Sequence, residues 1–124
     1  MRVMILVKAT ADSEAGTMPS LDLLQAMAQF NMELKQAGIL LSGEGLHPSA
    51  RGRRVAFDGA ERTVSEGPFG PTESLVAGFW IWNVTDLDEA VAWVRRCPNP
   101  MPGPSEIEIR PLYEETDFLA AATD

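Results

Sequence analysis

The chain has one cysteine and one histidine in 124 residues, and each scarcity closes off a chemistry. A lone Cys97 offers no intramolecular disulfide and no thiolate metal site. A lone His47 leaves no metal-ligand spacing to find, and no metal or cofactor is implied. Bases are scarce as well. Ten Lys and Arg stand against eighteen Asp and Glu, for a net charge of −8. Phosphate contacts need clustered bases, so neither nucleic acid nor an anionic membrane is expected as a partner. Long apolar runs are missing: nothing approaches the roughly 20 residues of a membrane span. The opening Met1–Lys8 is too short for a signal segment with its cleavage site, and Lys8 interrupts it, so a cytoplasmic location is expected. There is no internal repeat, low-complexity segment, phosphate loop or dinucleotide fingerprint.

What remains is an ordinary globular composition, 45% hydrophobic and 23% charged, of a length that suits one domain. Residues 2–8 read as a strand with Val3, Ile5 and Val7 on one face and Met4 and Leu6 on the other. Apolar residues on both faces mark a central strand. Residues 9–19, small and polar, read as a loop. Ser20 is placed to cap a helix over 21–37, where Leu23, Met27, Phe30, Leu34 and Ala37 recur at spacings of three and four. Leu24 and Ala28 widen that stripe, and Gly38 ends the helix. Ile39–Leu46 reads as a second strand, in which Gly43 and Gly45 flank Glu44 and allow close approach. Asp58-Gly59 sits between two short arms, 53–57 and 62–65, a hairpin signal, with Ala60 and Glu61 lengthening the loop.

Residues 77–84 form another strand that is apolar on both faces: Phe79 and Ile81 point one way, Trp80, Trp82 and Val84 the other. Thr85 or Asp86 caps a helix over 87–96, acidic at its start and basic at its end. Pro98, Pro100, Pro102 and Pro104 stiffen the next connection. Glu106, Glu108 and Arg110 then alternate with Ile107, Ile109 and Pro111, the pattern of an edge strand. Residues 114–124 are an acidic, Ala-rich tail, either a short helix or disordered, outside a domain of residues 1–113.

The order β-α-β, hairpin, β-α-β is that of an α+β, ferredoxin-like βαββαβ fold with an extra hairpin. Its antiparallel sheet runs 4-1-3-2 in main-strand order. Two helices cover one face of such a sheet. The other face exposes apolar side chains of both central strands and needs a cover. A homodimer is the simplest cover, and the tail with the Pro-rich loop is the alternative within one chain.

The least ordinary stretch is Ser65-Glu66-Gly67-Pro68-Phe69-Gly70-Pro71-Thr72-Glu73. Pro68 and Pro71 fix their own φ, remove two donors and exclude a helix. Such a stiff turn can hold a side chain at a set angle, which makes Glu66 and Phe69 candidate pocket walls; the same residues also suit a plain connection between strands. A small pocket is expected among Gly43–Pro48, Glu66–Phe69 and Trp80 or Trp82. In it, His47 and Glu66 are the candidate acid–base pair. Glu44, Pro68, Phe69, Trp80 and Arg54 are candidate ligand contacts, Arg54 or Arg53 holding an anion. The ligand is either a small apolar or a small anionic molecule. The alternative is a non-catalytic dimer that binds a ligand or a protein partner.

Several segments in a fixed order resemble the YCII-related superfamily, in the group named for an Asp-Gly-Pro-Phe motif. They are Arg2–Val7, Gly38–Pro48, Glu66-Gly67-Pro68-Phe69, Thr72-Glu73, Gly78-Phe79-Trp80, Asp86–Ala90, Cys97-Pro98 and Ile107–Leu112. The resemblance covers nearly the whole chain to about residue 113. It implies a dimeric α+β barrel built from two ferredoxin-like chains. Most members of the group are uncharacterised, and some are encoded beside alternative sigma factors. More distant relatives are thought to use a His–Asp pair in acid–base chemistry, including removal of chloride from an aromatic ring. The Asp corresponds to the first motif position, which is Glu66 here. The relatives' His lies near the first strand, where this chain has none; its histidine follows the second strand.

Overall fold

The computed structural model describes residues 1–122. Its centre is a pair of antiparallel strands, β1 (Arg2–Lys8) and β5 (Val76–Asn83), in which Ile5 sits opposite Trp80 and Val3 opposite Trp82. The strand β2 (Leu40–Gly45) flanks β5, and β6 (Ile107–Pro111) flanks β1. The order β2-β5-β1-β6, antiparallel throughout, is the expected 4-1-3-2 arrangement. Within one chain the sheet is open, with β2 and β6 as edges, and does not close into a barrel.

Alternation decides which side chains enter the core. Val3, Ile5 and Val7 of β1, with Trp80, Trp82 and the following Val84, are buried on the face covered by helices. The two helices are α2 (Leu21–Gln36) and α3 (Leu87–Arg95). Phe30 and Leu34 of α2 are buried there, and the Phe30 ring meets Trp80, Trp82 and Trp93 edge-on with centroids 6.1, 6.2 and 6.3 Å away. The expected widening of the α2 stripe does not occur: Leu24 and Ala28 face solvent. The α2 cap is as expected, since Ser20 Oγ accepts from the Leu23 N–H at 3.1 Å. Asp86 caps α3 by accepting from the Glu89 N–H at 2.8 Å. Arg96 joins the helices, ion-paired to Glu33 at 2.9 Å and lying 4.4 Å above the Trp93 ring.

On the other face, Met4, Leu6, Phe79 and Ile81 are half-buried with no helix over them. Register places Glu44 beside Phe79, Glu108 beside Leu6 and Arg110 beside Met4, so charges of both signs rim this apolar centre.

Two segments differ from expectation, and the tail takes the first of its two expected forms. The loop 9–19 contains a short helix, α1 (Ala11–Glu14), started by a reciprocal cap between Thr10 and Ser13. The hairpin β3 (Arg53–Asp58) and β4 (Glu61–Glu66) turns through Gly59-Ala60 alone, because Asp58 pairs with Glu61. Gly59 supplies the positive φ of +58° that so tight a turn requires at its first position, so Glu61 does not lengthen the loop. The tail forms α4 (Glu115–Ala122), preceded by a two-bond contact from Arg2 to Glu114 at 3.1 and 3.0 Å. That guanidinium holds the Glu114 carboxyl below the usual carboxylate range. The end of the expected tail, residues 123–124, lies outside the described residues. Among the described residues no helix is long and apolar enough to cross a membrane.

Gly43 lies opposite Trp80 in the β2–β5 ladder, and a Cβ added there would meet Trp80 Cδ1 at 2.4 Å. At Gly45 an added Cβ meets nothing within 4 Å. Gly43→Ala is therefore expected to cost about 1–3 kcal/mol by displacing the indole, whereas Gly45→Ala stays within roughly 0.5 kcal/mol of wild type. Urea unfolding followed by Trp fluorescence compares the two.

Candidate functional site

The Gly-Pro-Phe turn is pinned to the segment after β2 through Ser49. A short 3-10 turn, Ser49–Arg51, follows Pro48. Ser49 uses every polar group it has on this side. Its N–H donates to Glu14 Oε2 at 2.9 Å, its hydroxyl donates to Glu14 Oε1, and its Oγ accepts from the Phe69 N–H at 2.9 Å. Glu14, at the end of α1, thus reaches across 35 positions of sequence to hold the turn in place. The Gly67 N–H donates to the Gly52 carbonyl at 3.1 Å. Backbones come so close there that a Cβ on Gly67 would lie 1.8 Å from the Ser49 carbonyl oxygen. Both Gly67-Pro68 and Gly70-Pro71 are cis.

In front of this junction lies an open cleft of about 370 Å³. Glu14, His47, Ser49 and Arg51 give its polar wall, and Leu46, Leu75 and Val76 its apolar one. The volume suits a small organic molecule. His47 is exposed, and its two ring nitrogens lie 3.1 and 3.2 Å from Arg51 Nη1. Among the described residues no carboxylate forms an ion pair with Arg51.

The residues singled out from sequence fall in several places. His47 lines the cleft; Glu66 does not. Glu66 ends β4 and faces Arg53 at 3.6 Å, with both side chains more than half exposed. An exposed pair of that kind contributes little. The acid that shares the cleft with His47 is Glu14, which sequence reasoning did not single out. Arg54 stacks 4.2 Å above the half-buried Phe69 ring, and Pro68 is exposed. Glu44 stands on the open sheet face. Trp80 is buried on the helix side, its indole N–H donating to Asn31 Oδ1 at 2.8 Å.

A second hollow of about 230 Å³ lies between the end of α3 and the Pro-rich connection, beside Cys97 and Ile107. The Cys97 thiol donates to the Pro98 carbonyl at 3.2 Å, and burial pushes it up to about 11. A thiol so protonated is a poor nucleophile.

A ferredoxin-like sheet with an inserted hairpin and a pinned Gly-Pro-Phe turn defines an α+β protein with a surface cleft beside the turn. The YCII-related domain matches residues 1–115, and the chain belongs to that family. It is also similar to the uncharacterised protein R00369 of Rhizobium meliloti (strain 1021), 31% identical over 77 residues. That alignment covers 62% of each chain, so it spans less than two thirds of the relative's length.

Two outcomes follow from this geometry. Glu14→Ala and Ser49→Ala are each expected to cost about 1–3 kcal/mol, since each leaves a partly buried polar group unpaired. The double change costs little more than either alone, and a double-mutant cycle from urea unfolding reads the coupling. Cys97 is expected to react with a disulfide reagent at pH 8 roughly a hundredfold more slowly than an ordinary free thiol. The reaction is followed by absorbance, with the unfolded chain as reference.

Proposed function

We propose that the chain is a homodimeric protein that binds a small anionic molecule in the Glu14–His47–Ser49–Arg51 cleft and uses His47 to move a proton on it. The supporting observation is Arg51, a guanidinium at the cleft wall with no carboxylate pairing it among the described residues. Such a group is suited to a ligand carboxylate, which it can hold by two parallel hydrogen bonds. His47 stands against it, and imidazole is the side chain whose ordinary range suits acid–base work near neutral pH. Leu75 and Val76 offer an apolar wall to the rest of the ligand. The homodimer rests on the open sheet face. Burying side chains the size of Leu6, Phe79 or Ile81 contributes about 1.5–3 kcal/mol each. A rim with both signs of charge suits a self-complementary contact.

One observation favours a second reading, a ligand-binding module without turnover. Both Glu14 oxygens are occupied by Ser49, so the carboxylate beside His47 already has a structural task.

Calorimetric titration with a panel of substituted benzoates and 2-oxo acids tests the proposal. Arg51→Ala is expected to weaken the best binder at least tenfold, a change of about 1.4 kcal/mol. His47→Ala is expected to keep most of the affinity while abolishing any proton exchange at the ligand seen by NMR in deuterated water. Equal affinity in wild type and Arg51→Ala removes the cleft from the function. Binding that persists with no proton exchange in the wild type leaves the module reading.

A further inference from the structure

The sequence pattern assigns Leu24 and Ala28 to the buried stripe of α2, yet both face solvent. With Met32 they form a row of residues four apart along the outer side of the helix. Such a row is one of the ridges by which helices pack on one another. Leu24 is 51% exposed, Met32 54%, and Leu21, three positions before the row, 69%. The core of this chain does not use them, because α2 buries Phe30 and Leu34 on its inner side. Large apolar side chains gathered on one exposed helix face mark a contact surface.

The layout of the row selects its partner. It is symmetric about Ala28, with Leu24 four positions before and Met32 four after. Leu21 lies seven before and Lys35 seven after. Charge follows the same symmetry. Of the three charged residues in α2, Glu33 is paired with Arg96, which leaves Asp22 near the start and Lys35 near the end, both exposed. Among the described residues neither of these two forms an ion pair. A two-fold axis at Ala28 sets Leu24 of each copy against Met32 of the other and brings Asp22 of each toward Lys35 of the other. The Lys35 stem then lies over Leu21 of the other copy. Ala28 is small enough to let the two helices approach where they cross, and the antiparallel alignment sets opposite ends of the helix dipoles side by side. The whole chain carries a charge of −8 and repels its own kind, so a face whose two free charges cancel is where copies can meet.

We propose that the outer face of α2 binds α2 of a second copy of this chain, antiparallel and crossing at Ala28. The contact lies on the helix side of the sheet, away from the open face. It therefore goes beyond the homodimer proposed above, and depends neither on that homodimer nor on what the cleft binds. Where both contacts form, two different two-fold axes join the chains beyond a pair, and a dihedral tetramer is the closed form.

The experiment is sedimentation at micromolar concentration of wild type and two sets of variants, with unaltered Trp fluorescence as the check that each core is folded. Wild type is expected as a four-chain species, and Leu24→Glu/Met32→Glu as a two-chain one, with the dissociation constant of the lost contact raised roughly tenfold or more. Asp22→Lys alone is expected to weaken the same contact about threefold at low salt, and Asp22→Lys/Lys35→Asp to restore it. A single change that no second change rescues overturns the antiparallel register, and with it the choice of a second copy. A wild type of two chains that Leu24→Glu/Met32→Glu turns into monomers supports the α2 contact and removes the sheet-face dimer. A two-chain or four-chain wild type that Leu24→Glu/Met32→Glu leaves unchanged overturns the α2 contact and keeps the sheet-face dimer, as a different partner on this helix face would predict. A wild type that sediments as a monomer overturns both.

Discussion

Ser49 is the point where three distant stretches of the chain are held together. The Glu14 carboxylate takes its N–H and O–H, and its Oγ takes the Phe69 N–H. Hydrogen bonds to a charged acceptor are stronger than neutral ones, and each partner left alone in this half-buried spot costs its desolvation. Sterics reinforce the same junction, because the turn can approach Ser49 only where Gly67 has no side chain. The cleft wall, the Gly-Pro-Phe turn and the root of the hairpin all take their positions from this contact.

The sheet beneath supplies rigidity of a different kind. Trp80 and Trp82 lie against each other, with ring centroids 5.7 Å apart, and Phe30 of α2 packs edge-on against both, so β5 is anchored by aromatic contacts along its central part. Gly43 permits β2 to lie across Trp80, and β2 in turn delivers the chain to His47 and Ser49. The site is built where a rigid strand ends and a pinned loop begins, which is where binding residues are commonly carried. The opposite sheet face and the hairpin carry apolar residues left open by one chain.

The fold was largely legible because its signals are local. Val3 to Val7 and Phe79 to Val84 alternate with apolar residues on both faces, and the Ser20 and Asp86 caps stand directly before their helices. The hairpin arms were legible for the same reason, though its turn is shorter than the residues after Gly59 suggest. The site was legible only in part. His47 and the Gly-Pro-Phe turn stand out by residue type, but Glu14 lies in a polar stretch with no periodicity, and its partner is 35 residues away. A reciprocal Thr10–Ser13 cap was the one local sign that this stretch is ordered. Trp80 looks from sequence like a pocket wall because it follows the turn, yet the two-residue period of β5 sets it beside Trp82 in the core. Nor does spacing reveal that Glu66 faces Arg53 while His47 faces Arg51.

The central claim is that the Ser49 junction frames a ligand site for small anions. Its most direct test is a nitrogen–proton NMR titration with a small aryl carboxylate, following backbone amides across the chain. The account predicts saturable shifts concentrated at His47, Ser49, Arg51 and Phe69, with the amides around Cys97 and Ile107 unmoved. Shifts centred instead on the hollow beside Cys97, or spread evenly over the surface without saturation, would contradict it.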